Sequence, residues 1–191
     1  NLERALPVLA EHGFPAVLFV PVGFVGASRP LPHDERLAAA GVANPVLDWD
    51  GIAELERNGV RVESHGISHR VLASLGHDEA AREIEESKAV LEERLGRPVV
   101  AFAYVKGGAA HFGPRDVALV RRAGYELAFA TRTGANGPGA DRFRLRRYNV
   151  EPFPLRTFEL VLEGACDLLA VKDTKAGARV KRTLDRAFGT A

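Results

Sequence analysis

The chain has 191 residues, 46% apolar and 27% charged, enough for one globular domain with a sizeable core. Its 26 basic and 25 acidic residues leave a formal net charge of +1, so bulk electrostatics points to neither nucleic acid nor an anionic membrane. A single cysteine excludes an internal disulfide, and no apolar run reaches the about 18 residues of a membrane span.

Short β-rich runs alternate with helical stretches. Leu2, Leu6 and Leu9 lie at helical spacing, with Pro7 tolerable in a first turn, and Gly13 follows as a stop signal. Ala16–Val20 reads as a buried strand. Residues 26–45 are rich in Gly, Pro, Ser and Asn and read as a surface excursion, with a short helix over 35–40. Asp48 is an N-cap for a helix over 48–58 whose stripe is Trp49, Ile52 and Leu55, and Gly59 closes it. Val60–Ser64 is the next strand. The longest helix is expected over His77–Leu95, with Ile84, Leu91 and Leu95 inward and Gly96 at its end. Strands are expected over 98–104, 126–131 and 143–150, and a helix over 114–123 that starts at Pro114 and stops at Gly124. Residues 154–168 and 175–188 read as closing helices. Cys166 falls in the first of these and reads as a buried thiol rather than a nucleophile.

Strands alternating with helices of this length predict parallel βαβ units, in a barrel or an open sheet. In either, ligands collect at the C-terminal strand ends, where His65, Lys106 and Asn149 fall. The chain holds no methionine and opens in a helical pattern. A strand upstream of Asn1 is therefore expected, and any leader would go with it, so compartment is not read. The basic cluster Arg142, Arg144, Arg146 and Arg147 reads as a solvated strand edge.

His65 and His69 lie at and just beyond the end of the second strand. Neutral imidazoles suit zinc and similar divalent ions, and a loop or a first helical turn allows the two rings to converge. Ser64 and Ser68 are short hydroxyls able to orient a ring or hold a neighbouring backbone group. The spacing alone is a weak signal. Two ligands also fall short of the about three that a catalytic zinc normally takes from protein.

Ser64-His65-Gly66-Ile67-Ser68-His69 resembles the histidine motif of the NodB-type polysaccharide deacetylases, carbohydrate esterase family 4. Other stretches resemble that family in the same order. They are Leu6-Pro7-Val8-Leu9 through Val20, Leu47-Asp48-Trp49-Asp50-Gly51-Ile52, Ala101-Phe102-Ala103-Tyr104-Val105-Lys106-Gly107, Ala123-Gly124-Tyr125-Glu126-Leu127-Ala128-Phe129, and Arg146-Arg147-Tyr148-Asn149-Val150. The resemblance implies one NodB homology domain over residues 1–191. It implies a distorted (β/α) barrel of seven or fewer parallel strands, its first strand missing and its N-terminus incomplete. It further implies metal-dependent removal of acetyl from an N-acetylated sugar, zinc being the expected ion. His65 and His69 would be two metal ligands, and the backbone N–H of Lys106 would help to hold the oxyanion.

The chain departs from the family pattern in four places. No Asp-Asp motif is present to supply a base and the third ligand. Val105-Lys106 stands in place of Pro-Tyr, and Ala103 in place of an arginine. No Leu-x-His follows Arg147, so the general acid is unassigned. His111 is read as a solvated loop residue, and His12, His33 and His77 are given no role. The expected partner is an N-acetylated carbohydrate. A non-catalytic carbohydrate-binding relative and a small-amide amidohydrolase on the same scaffold stand as alternatives. Oligomeric state is not read.

Overall fold

In the computed structural model, residues 5–32, 34–35, 39–41, 46–150, 152–165 and 167 are described. Helix α1 (Ala5–His12) leads into β1 (Ala16–Val20) and a short 3-10 turn (Val22–Phe24). Helix α2 (Trp49–Arg57) precedes β2 (Val60–Ser64) and a second 3-10 turn (Leu72–Ser74). Then come α3 (His77–Leu95), β3 (Ala101–Ala103), α4 (Pro114–Arg122), β4 (Leu127–Phe129) and α5 (Leu155–Leu162). The strands make one parallel sheet in the order β1-β2-β3-β4. The expected α/β class with parallel strands is therefore present, and an isolated parallel bridge, Phe129 to Leu145, extends the sheet beyond β4.

Helix ends follow from local chemistry. Asp48 accepts the Gly51 N–H at 2.8 Å and so caps α2, as expected from its place before Trp49. Gly96 closes α3 in the left-handed region at φ 66°, and its N–H returns to Glu92 O at 2.9 Å. The Asp116 carboxylate accepts the Gly113 N–H at 2.8 Å at the start of α4.

The layers follow from strand alternation. Val62, Phe102 and Ala128 are buried on the face that packs against Ile84, Leu91 and Val120 of the helices. Phe19 and Phe129 lie on the opposite face, with ring centroids 5.4 Å apart. These residues belong to β1 and β4, three strand spacings of about 4.8 Å apart in a flat sheet. Contact between their rings requires the sheet to curl strongly toward that face, as a barrel wall does.

Several elements are shorter than expected, for a polar reason. Strand β3 begins at Ala101 rather than Pro98. Pro98 has no N–H, the Val99 N–H goes to Glu92 Oε1 at 3.0 Å, and the Val100 and Ala101 N–H groups go to Glu63 Oε2 at 2.9 and 2.7 Å. Side-chain carboxylates thus replace the ladder there. The expected strand over 143–150 is reduced to the Leu145 bridge, because Phe143 bonds to Asp141 Oδ1 at 3.0 Å instead. The two 3-10 turns were not anticipated. The proposed helices over 35–40 and 175–188, together with Cys166 and His33, fall wholly or partly outside the described residues.

Glu63 is 1% exposed and also meets Arg61 Nε at 2.6 Å and Arg97 Nη1 at 3.4 Å. Glu63→Ala would leave the buried Ala101 N–H and the half-buried Val100 N–H unsatisfied and two guanidinium groups short of an anion. It should lower the unfolding free energy by about 3 kcal/mol in chemical denaturation, with Glu63→Gln costing less.

Burial pushes the Tyr125 phenol up to about 12 and raises Tyr104 as well, since each sits almost wholly within the core. In an unfolded chain these phenols ionise near pH 10. Their contribution to stability is therefore complete below pH ~10 and is lost as pH rises through the folded values. An alkaline titration should show the phenolate absorbance of both appearing together with loss of structure. The Tyr104→Phe, Tyr125→Phe double variant should shift that transition to higher pH.

Candidate active site

The two histidines sit in a loop tied down on three sides. His65 N–H donates to Val20 O at 3.0 Å, continuing the β1–β2 ladder by one rung. Val22 N–H and Gly23 N–H donate to Gly66 O and Ile67 O, each at 3.0 Å, so the loops after β1 and β2 are zipped together. On the third side lies Glu83 of α3, 9% exposed. Its Oε2 accepts the Ile67 and Ser68 N–H groups at 2.8 and 2.9 Å, and its Oε1 accepts the Ser68 hydroxyl. Gly66 has φ 81°, and a Cβ added there would come within 3.1 Å of Glu83 Oε2, so glycine serves both the turn and the close approach.

The imidazoles converge. The ring centroids of His65 and His69 are 5.0 Å apart at 70°. His65 Nδ1 lies 2.7 Å from Ala103 O. A carbonyl only accepts, so Nδ1 carries the proton and Nε2 becomes the acceptor nitrogen, the tautomer that suits cation binding. This bond also joins the histidine loop to the end of β3. Ser64, on the strand itself, bonds Ser87 Oγ at 2.8 Å, and Tyr125 OH donates to Ile84 O at 3.1 Å beside it.

Beyond β3 the chain turns sharply at Lys106. Thr131 Oγ1 donates to Lys106 O at 2.5 Å and Thr131 N–H to Gly107 O at 3.0 Å, which ties this loop to the end of β4. Gly107 has φ 56°, and a Cβ there would lie 2.6 Å from Thr131 N. Among the described residues the Lys106 N–H meets no acceptor. Two non-glycine residues among those described have positive φ, His69 at 57° and Lys106 at 58°. Each costs about 1–2 kcal/mol for an L-residue, and such strain concentrates at functional positions. Both were singled out on sequence grounds.

The other expectations divide. His111 is not a solvated loop residue. It is half-buried, its Nδ1 accepts the Gly108 N–H at 3.1 Å, its N–H donates to Gly108 O at 2.9 Å and its O accepts from Ala73 at 3.1 Å. It stitches its own loop. His12 and His77 are exposed at helix ends. Asn149 follows the Leu145 bridge and is exposed. Of the arginine cluster, Arg142 and Arg146 are exposed as expected, whereas Arg144 and Arg147 are half-buried. Glu83 was missed. The signal was present: Ala80, Ile84, Ser87 and Leu91 form the inward stripe of α3, and Glu83 lies on that stripe, where a charge has to find partners.

For a divalent ion, the donor set is right in kind and incomplete in number. His65 and His69 converge with one tautomer set by a carbonyl, and no group of three His, Cys, Asp or Glu forms among the described residues.

The polysaccharide deacetylase family profile matches residues 1–128, two thirds of the chain, so the chain belongs to that family. YxkH of Bacillus subtilis (strain 168) is 22% identical over 152 residues, covering 80% of this chain and 48% of that protein. IcaB from Ammonifex degensii is 26% identical with TM-score 0.66, covering 85% of this chain and 65% of that one. The Streptococcus pyogenes deacetylase PplD, solved in complex with acetate, shares the fold at 20% identity and TM-score 0.65, covering 78% of this chain and 58% of that one. The chain thus spans about half the length of YxkH and under two thirds of the other two.

Glu83→Gln keeps the shape of the side chain and removes an acceptor. Amide hydrogen exchange at Ile67 and Ser68 should accelerate by about tenfold or more while the β2 amides stay protected. Gly107→Ala should destabilise the fold by about 2 kcal/mol, read by thermal unfolding, since it adds strain at positive φ to a backbone clash.

Proposed function

We propose that this chain hydrolyses the acetamide of an N-acetylated sugar, with zinc or a similar divalent ion held by His65 and His69. The observation that carries the reading is the placement of strain. Among the described residues, the two left-handed non-glycine residues are a histidine of the converging pair and Lys106, whose N–H meets no acceptor there, on adjoining strand ends of a polysaccharide deacetylase fold.

The reaction adds water across the amide. The C–N bond breaks, acetate leaves, and the nitrogen departs as an amine after taking a proton. A bound divalent ion supplies Lewis acidity toward water and the carbonyl oxygen. The residues of this chain provide the frame. Ala103 O fixes the His65 tautomer, and Glu83 holds the His69 loop from below. The Lys106 N–H is a backbone donor, so replacing the family's usual Pro-Tyr by Val105-Lys106 leaves it available for the charge that develops on the carbonyl oxygen. Glu83 is not the general base, because both of its oxygens are engaged by the loop it holds. The base, the third ligand and the acid belong outside the described residues in this reading.

The test is acetate release from N-acetylglucosamine oligomers by the full protein, with zinc binding measured by calorimetry. Activity should vanish with a chelator and return with zinc. His65→Ala and His69→Ala should each lower kcat/KM by about 100-fold or more and weaken zinc binding. Zinc affinity unchanged in both variants, or acetate release indifferent to the chelator, would overturn the reading.

A further inference from the structure

His111 lies in the loop that carries the chain from Lys106 to α4. At the start of that loop, Thr131 holds Lys106 O and Gly107 O. At its end, Phe112 stacks on the buried Tyr104 with ring centroids 3.8 Å apart, and Asp116 accepts the Gly113 N–H at 2.8 Å. Between these anchors run Gly107 and Gly108, which bring backbone freedom and no side chain to pack. His111 closes that stretch. Its N–H donates to Gly108 O at 2.9 Å, and its Nδ1 accepts the Gly108 N–H at 3.1 Å. The imidazole thus fixes the Gly107–Gly108 peptide, directly after the strained turn at Lys106. A Cβ added to Gly108 would lie 3.0 Å from the same Nδ1, so the ring sits against the glycine.

The same residue reaches the segment that leaves the histidine pair. His111 O accepts the Ala73 N–H at 3.1 Å, in the 3-10 turn that is the next element after His69. Arg115, at the start of α4, holds both flanks of that turn, its Nη2 donating to Leu72 O at 2.7 Å and its Nη1 to Leu75 O at 2.9 Å. The Lys106 loop and the exit from His69 are therefore one hydrogen-bonded unit. Strain such as that at Lys106 persists only where the surroundings over-determine it.

The bond at Gly108 sets a tautomer. A backbone N–H only donates, so His111 Nδ1 is the bare nitrogen and the proton of the neutral ring sits on Nε2. His65 carries the opposite tautomer, its Nδ1–H turned to Ala103 O. What the loop takes from His111 is an acceptor at the Nδ1 position. An asparagine amide oxygen, attached to Cγ as Nδ1 is, supplies that acceptor; a glutamine oxygen lies one bond farther out.

We propose that His111 is a positioning residue for the Lys106 N–H: its Nδ1 holds Gly108, and so keeps the backbone donor of the Lys106 turn fixed beside the histidine pair. The catalytic consequence rests on the deacetylase reading above; the hold on the loop rests on these bonds alone.

The experiment compares the full protein with its His111→Ala, His111→Asn, His111→Gln and Gly108→Ala variants. Amide resonances and hydrogen exchange of Lys106 and Gly108 are followed by NMR, zinc binding by calorimetry, and acetate release from N-acetylglucosamine oligomers by steady-state kinetics. His111→Ala should speed exchange at Gly108 by about tenfold and shift the Lys106 amide resonance, with zinc affinity kept within about twofold. Its kcat should fall by about tenfold at nearly constant KM, since a donor to the developing oxyanion acts in the transition state. His111→Asn should restore the amide signals and kcat, and His111→Gln should resemble His111→Ala. Gly108→Ala, which crowds the ring, should mimic His111→Ala, and the two changes together should lose no more than either alone. If His111→Ala does not fold, the contrast between the Asn and Gln variants decides. An Asn variant no better than the Gln variant, or Lys106 and Gly108 amides unaltered by His111→Ala, overturns the proposal. The expected amide changes in a protein that releases no acetate from any oligomer would support the hold on the loop and defeat the deacetylase reading. Acetate release whose kcat is indifferent to His111→Ala would overturn the positioning role and leave the deacetylase reading standing.

Discussion

The carboxylate of Glu83 is the constraint on which the site depends. It stands on α3 between Ala80 and Ser87, a helix pinned to the sheet by the fully buried Ile84 and Leu91. From there it accepts two backbone N–H groups and a hydroxyl from the segment between the two histidines. Hydrogen bonds to a charged acceptor contribute about 1.5–3 kcal/mol each, against roughly 1–2 kcal/mol of strain at His69. The balance favours the strained loop, and the loop inherits the rigidity of the helix. A carboxylate that is costly to bury unpaired becomes the means by which the core positions the surface.

The second half of the cleft is built by a different device. Around Lys106 the strain is held by backbone and hydroxyl bonds from Thr131 rather than by a buried charge. The His65 imidazole bridges the two halves through Ala103 O. Strand curvature draws the parts together, as the Phe19–Phe129 contact requires. The histidine pair and the Lys106 N–H, which meets no acceptor among the described residues, thus occupy adjoining C-terminal strand ends of one curved sheet.

Much of this was legible in the residues. The caps at Asp48 and Gly96, the stripe of Trp49, Ile52 and Leu55, and the apolar run of β1 are local signals, and local signals set these elements. The pairing of His65 with His69 after a buried strand was equally readable, as was Lys106 through the motif around it. Where the reading failed, long-range polar bonds intervened. Three carboxylate bonds to Val99, Val100 and Ala101 shorten β3, and no local pattern announces that Glu63 and Glu92 will supply them. His111 looked solvated because its contact with Ala73 forms only once two segments far apart in the chain meet, while its bonds to Gly108 close a loop whose conformation no pattern announced.

The sequence by itself determined the alternation of parallel strands and helices, the family, and the residue types from which a site could be drawn. Periodicity, caps and motif order are properties of neighbours along the chain. The tertiary structure alone decided which of those residues face one another. It made Glu83 the anchor of the histidine loop, set the tautomer of His65, and half-buried Arg144 and Arg147 of the arginine cluster. The reason is physical: hydrogen-bond satisfaction and the cost of burying charge are settled between elements far apart in sequence.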